Sequence, residues 1–183
     1  MNDKHQFKVG DKLVDFGQVY RVYKIKKDKT LEGKREDCIY YKPYFKSEKN
    51  QSLVCSIPKS NIEEENLRKP VSKKKINETL KLLGQKPNSE TVINIAVASS
   101  YLKENNPIET ARLLKILWLE KQGNKEKKLS TRKKMICQNA MRHLVEEIAV
   151  VQNISLKKAK EKIIRRLEKI CPAKQGEGIE DEK

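Results

Sequence analysis

The hydrophobic pattern of this chain changes period once, at Ile57-Pro58. Before that point aromatic and β-branched residues come in short runs, as in strands. After it apolar residues recur every three or four positions, as on helices. A chain patterned this way builds a sheet module and then a helical one, each needing its own buried face.

In the first part, Val19-Tyr20-Arg21-Val22-Tyr23-Lys24-Ile25 places Val19, Arg21, Tyr23 and Ile25 on one face and Tyr20, Val22 and Lys24 on the other. Cys38-Ile39-Tyr40-Tyr41 and Leu53-Val54-Cys55-Ser56-Ile57 read as further strands. Pro58 ends the last of these by withholding a backbone donor. Gly10-Asp11, Asp15-Phe16-Gly17, Glu32-Gly33 and residues 47–50 supply turn chemistry between them. Five short strands with tight turns fit a small barrel of the SH3 or Tudor type. A module of about 70 residues can fold alone, but its core is thin.

Glu63-Glu64-Glu65 and Pro70 mark a connector, after which helix signals repeat. Ser72 caps a helix carrying Ile76, Leu80 and Leu83, stopped near Gly84 and Pro87. Ser89 is the expected cap of a second, with Ile93, Ala96, Val97 and Tyr101. Asn106 precedes Pro107 as an N-cap precedes a first-turn proline, and Gly123 closes that helix. Residues 113–119 are apolar nearly all round, which predicts a central buried helix. Ser130 opens a helix striped by Cys137, Met141, Leu144, Ile148 and Val151. Ser155 opens the last, with Leu156, Ala159, Ile163, Leu167 and Ile170 on one face and Lys157, Lys158, Lys160, Lys162, Arg165, Arg166 and Lys169 on the other. The expected organisation is α+β: a small Tudor/SH3-like β-barrel over residues 1–68, a compact all-α domain of about five helices over residues 69–171, and a disordered tail from 172.

Charge narrows the partners. Lys and Arg number 41 against 25 acids, for a net +16. Residues 1–71 hold 16 bases and 11 acids, while residues 72–183 hold 25 and 14, so the excess concentrates in the helical part. Such a balance attracts polyanions; the plainer alternative is a solvated, solubilising surface. The four cysteines are far apart in sequence, with no C-x-x-C pair, so neither metal nor disulfide framework is expected. No signal peptide or membrane-length apolar run is visible, which points to the cytoplasm. Catalysis finds no motif: there is no P-loop, dinucleotide fingerprint or nucleophile elbow. His143 reads as a helix-surface or boundary residue. Glu146 and Glu147, adjacent on a helix, point about 100° apart and read as a solvated flank. No enzyme activity and no cofactor are expected.

Several strings occur in a telling order: Phe7-Lys8-Val9-Gly10-Asp11, then Val22 and Ile25, Gly33, Ile57-Pro58 and Leu67-Arg68. Leu129-Ser130-Thr131-Arg132-Lys133-Lys134-Met135 follows, leading into Leu144-Val145-Glu146-Glu147-Ile148-Ala149. Over roughly residues 7–165 the chain resembles the CarD/CdnL family of bacterial RNA polymerase-binding transcription regulators. The resemblance implies a Tudor-like domain that adds its edge strand to the polymerase β subunit, and a helical domain that touches promoter DNA near the melted region. It also exposes two departures. Ser56 stands where many members carry an arginine. Residues 92–98 (V-I-N-I-A-V-A) lack the tryptophan and arginines that wedge into the minor groove in many members. Trp118 aligns with a different, structural tryptophan.

The polymerase contacts the resemblance implies are Lys29, which could equally be a solvent-exposed turn lysine, and the edge residues Leu53, Val54, Cys55, Ser56, Ile57 and Pro58. Without the wedge, DNA contact falls to charge, in two clusters. One is Lys73, Lys74 and Lys75. The other is Lys125, Lys127 and Lys128 with Arg132, Lys133 and Lys134, the last three in a helix's first turn, where cations oppose the dipole. Either cluster could instead be a solvated face, and a loop carboxylate could serve as well as an external anion at the second. The function expected is a nucleoid-associated transcription regulator, monomeric, that joins the polymerase β subunit to double-stranded DNA without reading sequence. The alternative is a free-standing nucleic-acid-binding protein, architectural or RNA-directed.

Overall fold

A computed structural model describes residues 7–29, 33–48, 50–86, 93–123 and 129–171. Lys125, Lys127, Lys128, Ser89 and the expected tail lie outside these residues. Four antiparallel strands come first: β1 (Lys12–Asp15), β2 (Gln18–Lys29), β3 (Arg35–Pro43) and β4 (Cys55–Pro58), hydrogen-bonded in that order. Five helices follow: α1 (Lys73–Leu83), α2 (Ile95–Lys103), α3 (Pro107–Gly123), α4 (Thr131–Gln152) and α5 (Leu156–Glu168). The sheet curls into a half-barrel of Tudor type, so the α+β expectation is met with four described strands where five were expected. The turn expected at Gly10-Asp11 is present, closed by Lys8 N donating to Asp11 Oδ2 and Asp11 N to the Lys8 carbonyl.

The sheet's core is small: Phe7, Leu13, Tyr20, Val22, Ile39, Tyr41, Ile57, Ile62 and Leu67. Tyr20 and Tyr41 meet edge to face at 5.2 Å. One detail of strand facing differs from strict alternation. The β2–β3 register shifts between Val22 and Lys24, so Tyr23 is the extra residue of a bulge. Ile25 thereby joins Tyr20 and Val22 on the inner face, not Val19 and Arg21 on the other. The β1–β2 hairpin turns on Phe16 (φ 43°) and Gly17 (φ 76°), the positive pair of a tight hairpin turn. Gly17 is doubly constrained, because a Cβ there would collide with the His143 imidazole.

Hydroxyl and amide caps start four helices as their residue types require. Ser72, Ser130 and Ser155 accept from Lys75 N, Lys133 N and Lys158 N, and Asn106 Oδ1 accepts from Ile108 N. The start of α2 corrects the expectation, since Asn94, not Ser89, caps it by accepting from Ala96 N. Ala98 is then its buried residue and Val97 faces outward. Leu156 is likewise exposed, although Ala159, Ile163 and Leu167 are buried as expected. In α3 Leu113, Leu114, Leu117 and Trp118 are all buried. Trp118 donates Nε1–H to the Cys171 carbonyl at 3.3 Å, which makes it a core residue.

Sheet and helices are joined by a polar seam that the sequence pattern alone places in solvent. Glu147, 2 % exposed, accepts from both Arg68 terminal nitrogens (2.5 and 2.8 Å) and from Val71 N (3.0 Å). Glu146 accepts from Val19 N on β2 at 2.8 Å, and burial raises its pKa. Neither is a solvated flank: a second module covers the side of α4 they occupy. Buried Asn105, in the left-handed region at φ 52°, takes Gly17 N on Oδ1. It donates through Nδ2 to the carbonyls of Val14 and Asn66. His143 sits under the same hairpin. Burial, reinforced by Arg142, pushes its pKa down to about 4, and its buried Nδ1 has no hydrogen-bond partner among the described residues.

Two outcomes are expected. Arg68→Ala strands a buried carboxylate and should cost about 3 kcal/mol in urea unfolding; a loss below about 1 kcal/mol would place Glu147 in effective contact with water. His143, neutral in the fold, takes a proton more readily when unfolded. Its effect on stability is nil above pH 6.5 and grows as pH falls toward 4, by at most about 3 kcal/mol. Raised carboxyl pKa values at Asp15 and Glu146 act in the opposite sense. The difference between the wild type and His143→Gln should therefore carry the signal, the variant losing less stability between pH 6.5 and 4.

Candidate nucleic-acid interface and open sheet edge

The two edges of the sheet differ. Along β1, Val14 N donates to the Arg68 carbonyl at 2.7 Å and Arg68 N returns a bond to Val14 at 3.3 Å. With Asn105 capping the hairpin, that edge is closed by the chain itself. β4 is different. Its inner side pairs with β3, Cys38 opposite Pro58 through Tyr41 opposite Cys55, and among the described residues no backbone group pairs with its outer edge. An uncovered strand edge is a template for another strand.

The expected edge residues divide accordingly. Cys55, Ser56, Ile57 and Pro58 form β4, whereas Leu53 and Val54 precede it outside the strand, 42 % and 55 % exposed. Ile57 is buried in the sheet core and Ser56 is exposed. Burial raises the pKa of the Cys55 thiol, so it stays protonated and poorly nucleophilic. Lys29 ends β2 opposite Arg35, beyond the Pro58 end of β4, which stops level with Cys38. It is exposed, and not alongside the edge.

The basic clusters are separate. Lys73 and Lys74 are exposed at the start of α1, with Lys75 half-buried. Val71, just before them, is tied to Glu147, and Arg132 lies fifteen residues earlier on α4, about 22 Å away along the helix. Lys133 belongs to neither surface. Its Nζ bonds both carboxylate oxygens of Glu120 on α3, at 2.6 and 2.8 Å, with the lysine side chain 13 % exposed. The charge that opposes the dipole of α4 is thus balanced from inside, leaving Arg132 and Lys134 outward. Residues 93–98, where the wedge would fall, form the cap and first turn of α2.

Among the described residues no group of three or more His, Cys, Asp or Glu side chains could hold a metal, and no helix is long and apolar enough to cross a membrane. Residues 94–164, from the cap of α2 into α5, match the family model for the CarD C-terminal domain. No curated protein matches the chain. The helical part of the chain is thus similar to the C-terminal domain of CarD-type transcription regulators.

Proposed function

We propose that this protein is a non-enzymatic regulator that docks β4 on a strand of the RNA polymerase β subunit and lays its basic helical domain on DNA. The observation that carries the docking step is the asymmetry of the sheet: one edge is closed by Arg68 and Asn105, the other is open and preceded by exposed Leu53 and Val54. Strand addition gives affinity through main-chain bonds, and flanking apolar side chains give it a place to stop. Exposed Arg132, Lys134, Lys73 and Lys74 suit phosphate contact and carry no base-reading pattern. Occupying both partners at once raises the local concentration of each for the other, which stabilises a polymerase–promoter complex.

Leu53→Ser with Val54→Ser should leave the melting temperature nearly unchanged, because both side chains are exposed. It should weaken binding to the isolated β-subunit lobe at least about fivefold, as removal of apolar interface anchors does; unchanged binding in a calorimetric titration removes the edge from the interface. For DNA, the slope of log affinity against log salt should be similar for unrelated duplexes. Arg132→Gln with Lys134→Gln should reduce its magnitude by about 0.9 for each phosphate no longer neutralised. Lys133→Gln should leave the slope alone and lower stability instead, since it strands Glu120. A slope that responds only to Lys133 would reverse this assignment.

A further inference from the structure

The outer face of the sheet carries a pattern that neither strand docking nor duplex contact uses. Lys12, Arg21 and Lys42 stand in register across β1, β2 and β3, a row of three cations on one face. Like charges directly opposite one another destabilise a sheet. The carboxylates on this face, Asp28 and Glu36, are at the far end of the strands. There Asp28 bonds Lys26 and the Tyr40 hydroxyl, and Glu36 bonds Ser60. Among the described residues no carboxylate pairs with the row.

Aromatic rings are interleaved with it. The bulge turns Tyr23 outward, and Lys42 Nζ lies 5.3 Å from its ring centroid. Lys12 Nζ lies 4.7 Å from the ring of Tyr44, and Lys26 Nζ 5.3 Å from that of Tyr40. Tyr23 and Tyr44 are 38 % and 39 % exposed, while the tyrosines of the inner face, Tyr20 and Tyr41, are buried.

We propose that this face binds a single nucleic-acid strand, stacking bases on Tyr23 and Tyr44 and holding phosphates on Lys12, Arg21 and Lys42. Cations alone fit any polyanion. Open rings between cations select a strand whose bases are unstacked and free to lie on them. A duplex hides its base faces, so the rings would add nothing to its binding. An acidic peptide would use the cations and ignore the rings. The track also has a continuation, because Lys12 lines a cleft with Lys69 and Lys73 that leads to the start of α1. The edge of β4 stays free while the face is occupied, so this surface stands independently of polymerase docking.

The test uses the full chain and fluorescence anisotropy with labelled oligo-dT, oligo-U and a duplex of equal length. Wild-type protein should bind at least one of the two strands, and the preferred one assigns DNA or RNA. Tyr23→Ala with Tyr44→Ala should weaken strand binding at least about tenfold, as removal of stacking platforms does, with the duplex changed less than about twofold. Tyr23→Phe with Tyr44→Phe keeps the rings and should keep strand affinity. A photoreactive iodouracil strand should crosslink to wild-type peptides containing Tyr23, Tyr40 or Tyr44, a readout that does not depend on any variant folding. The proposal is overturned if neither strand binds or the alanine pair binds like wild type. It is equally overturned if strand and duplex weaken together, if polyglutamate displaces the strand as well as unlabelled strand does, or if crosslinks fall only on the helices.

Discussion

The fold turns on one charge pair. Glu147 is buried on α4, and its carboxylate is tolerable there only because Arg68 meets it with two parallel hydrogen bonds and Val71 N adds a third. Arg68 is also the residue whose backbone closes the β1 edge, and its Nε donates to the Asn105 carbonyl at 2.5 Å. The same residue therefore sets the end of the sheet through its backbone, and the start of the helical domain and the turn between α2 and α3 through its side chain. Among the described residues the sheet's own core has nine buried members, few for independent stability. The seam with α4 supplies the rest of its support, so a cut at residue 68 would separate partners that hold each other in place.

Much of this was legible in the sequence, and the limits have physical causes. The serines at 72, 130 and 155 and Asn106-Pro107 were readable because capping is a local interaction between a side chain and amides two or three residues on. Trp118 was readable because the run around it is apolar on every side. Glu146 and Glu147 were misread because a helix pattern records which face is apolar, not which polar flank a second module will cover. The facing of Ile25 failed for a similar reason, since a bulge adds one residue and leaves no compositional mark. Asn105 had a faint signal in the Asn105-Asn106 pair ahead of Pro107, a doublet suited to a left-handed residue followed by a cap.

The candidate site shows a sharper division. Pattern and resemblance picked out the segment that becomes the open edge, because a strand ending in proline is a local feature. They could not say that the opposite edge is closed, which depends on a residue more than fifty positions away in sequence. Charge clusters were visible as strings of Lys and Arg, but a string cannot show which of its members is already neutralised. Lys133 looks like its neighbours until Glu120, thirteen residues earlier and on another helix, is found beside it. The dipole conflict at the start of α4 is thus resolved within the fold, and it offers no support for an external anion at that lysine.

Rigidity across the seam has a functional consequence. Two modules joined by a slack linker meet their targets over a range of geometries, and the second binding step gains only the effective concentration that the linker allows. Here the bonds from Glu146, Glu147 and Asn105 fix the sheet against α4 and the α2–α3 turn, so the angle between the β4 edge and the basic helices is set before either partner is met. Such preorganisation removes an ordering cost when target geometry matches. It also makes the protein intolerant of a mismatch, because a rigid body cannot engage two sites that it does not span. In this reading the buried carboxylate does more than hold the fold together. On the function proposed, it would also set the distance and direction over which polymerase and DNA are bridged, so a change at Arg68 would act on that bridging through orientation before it acted through any direct contact.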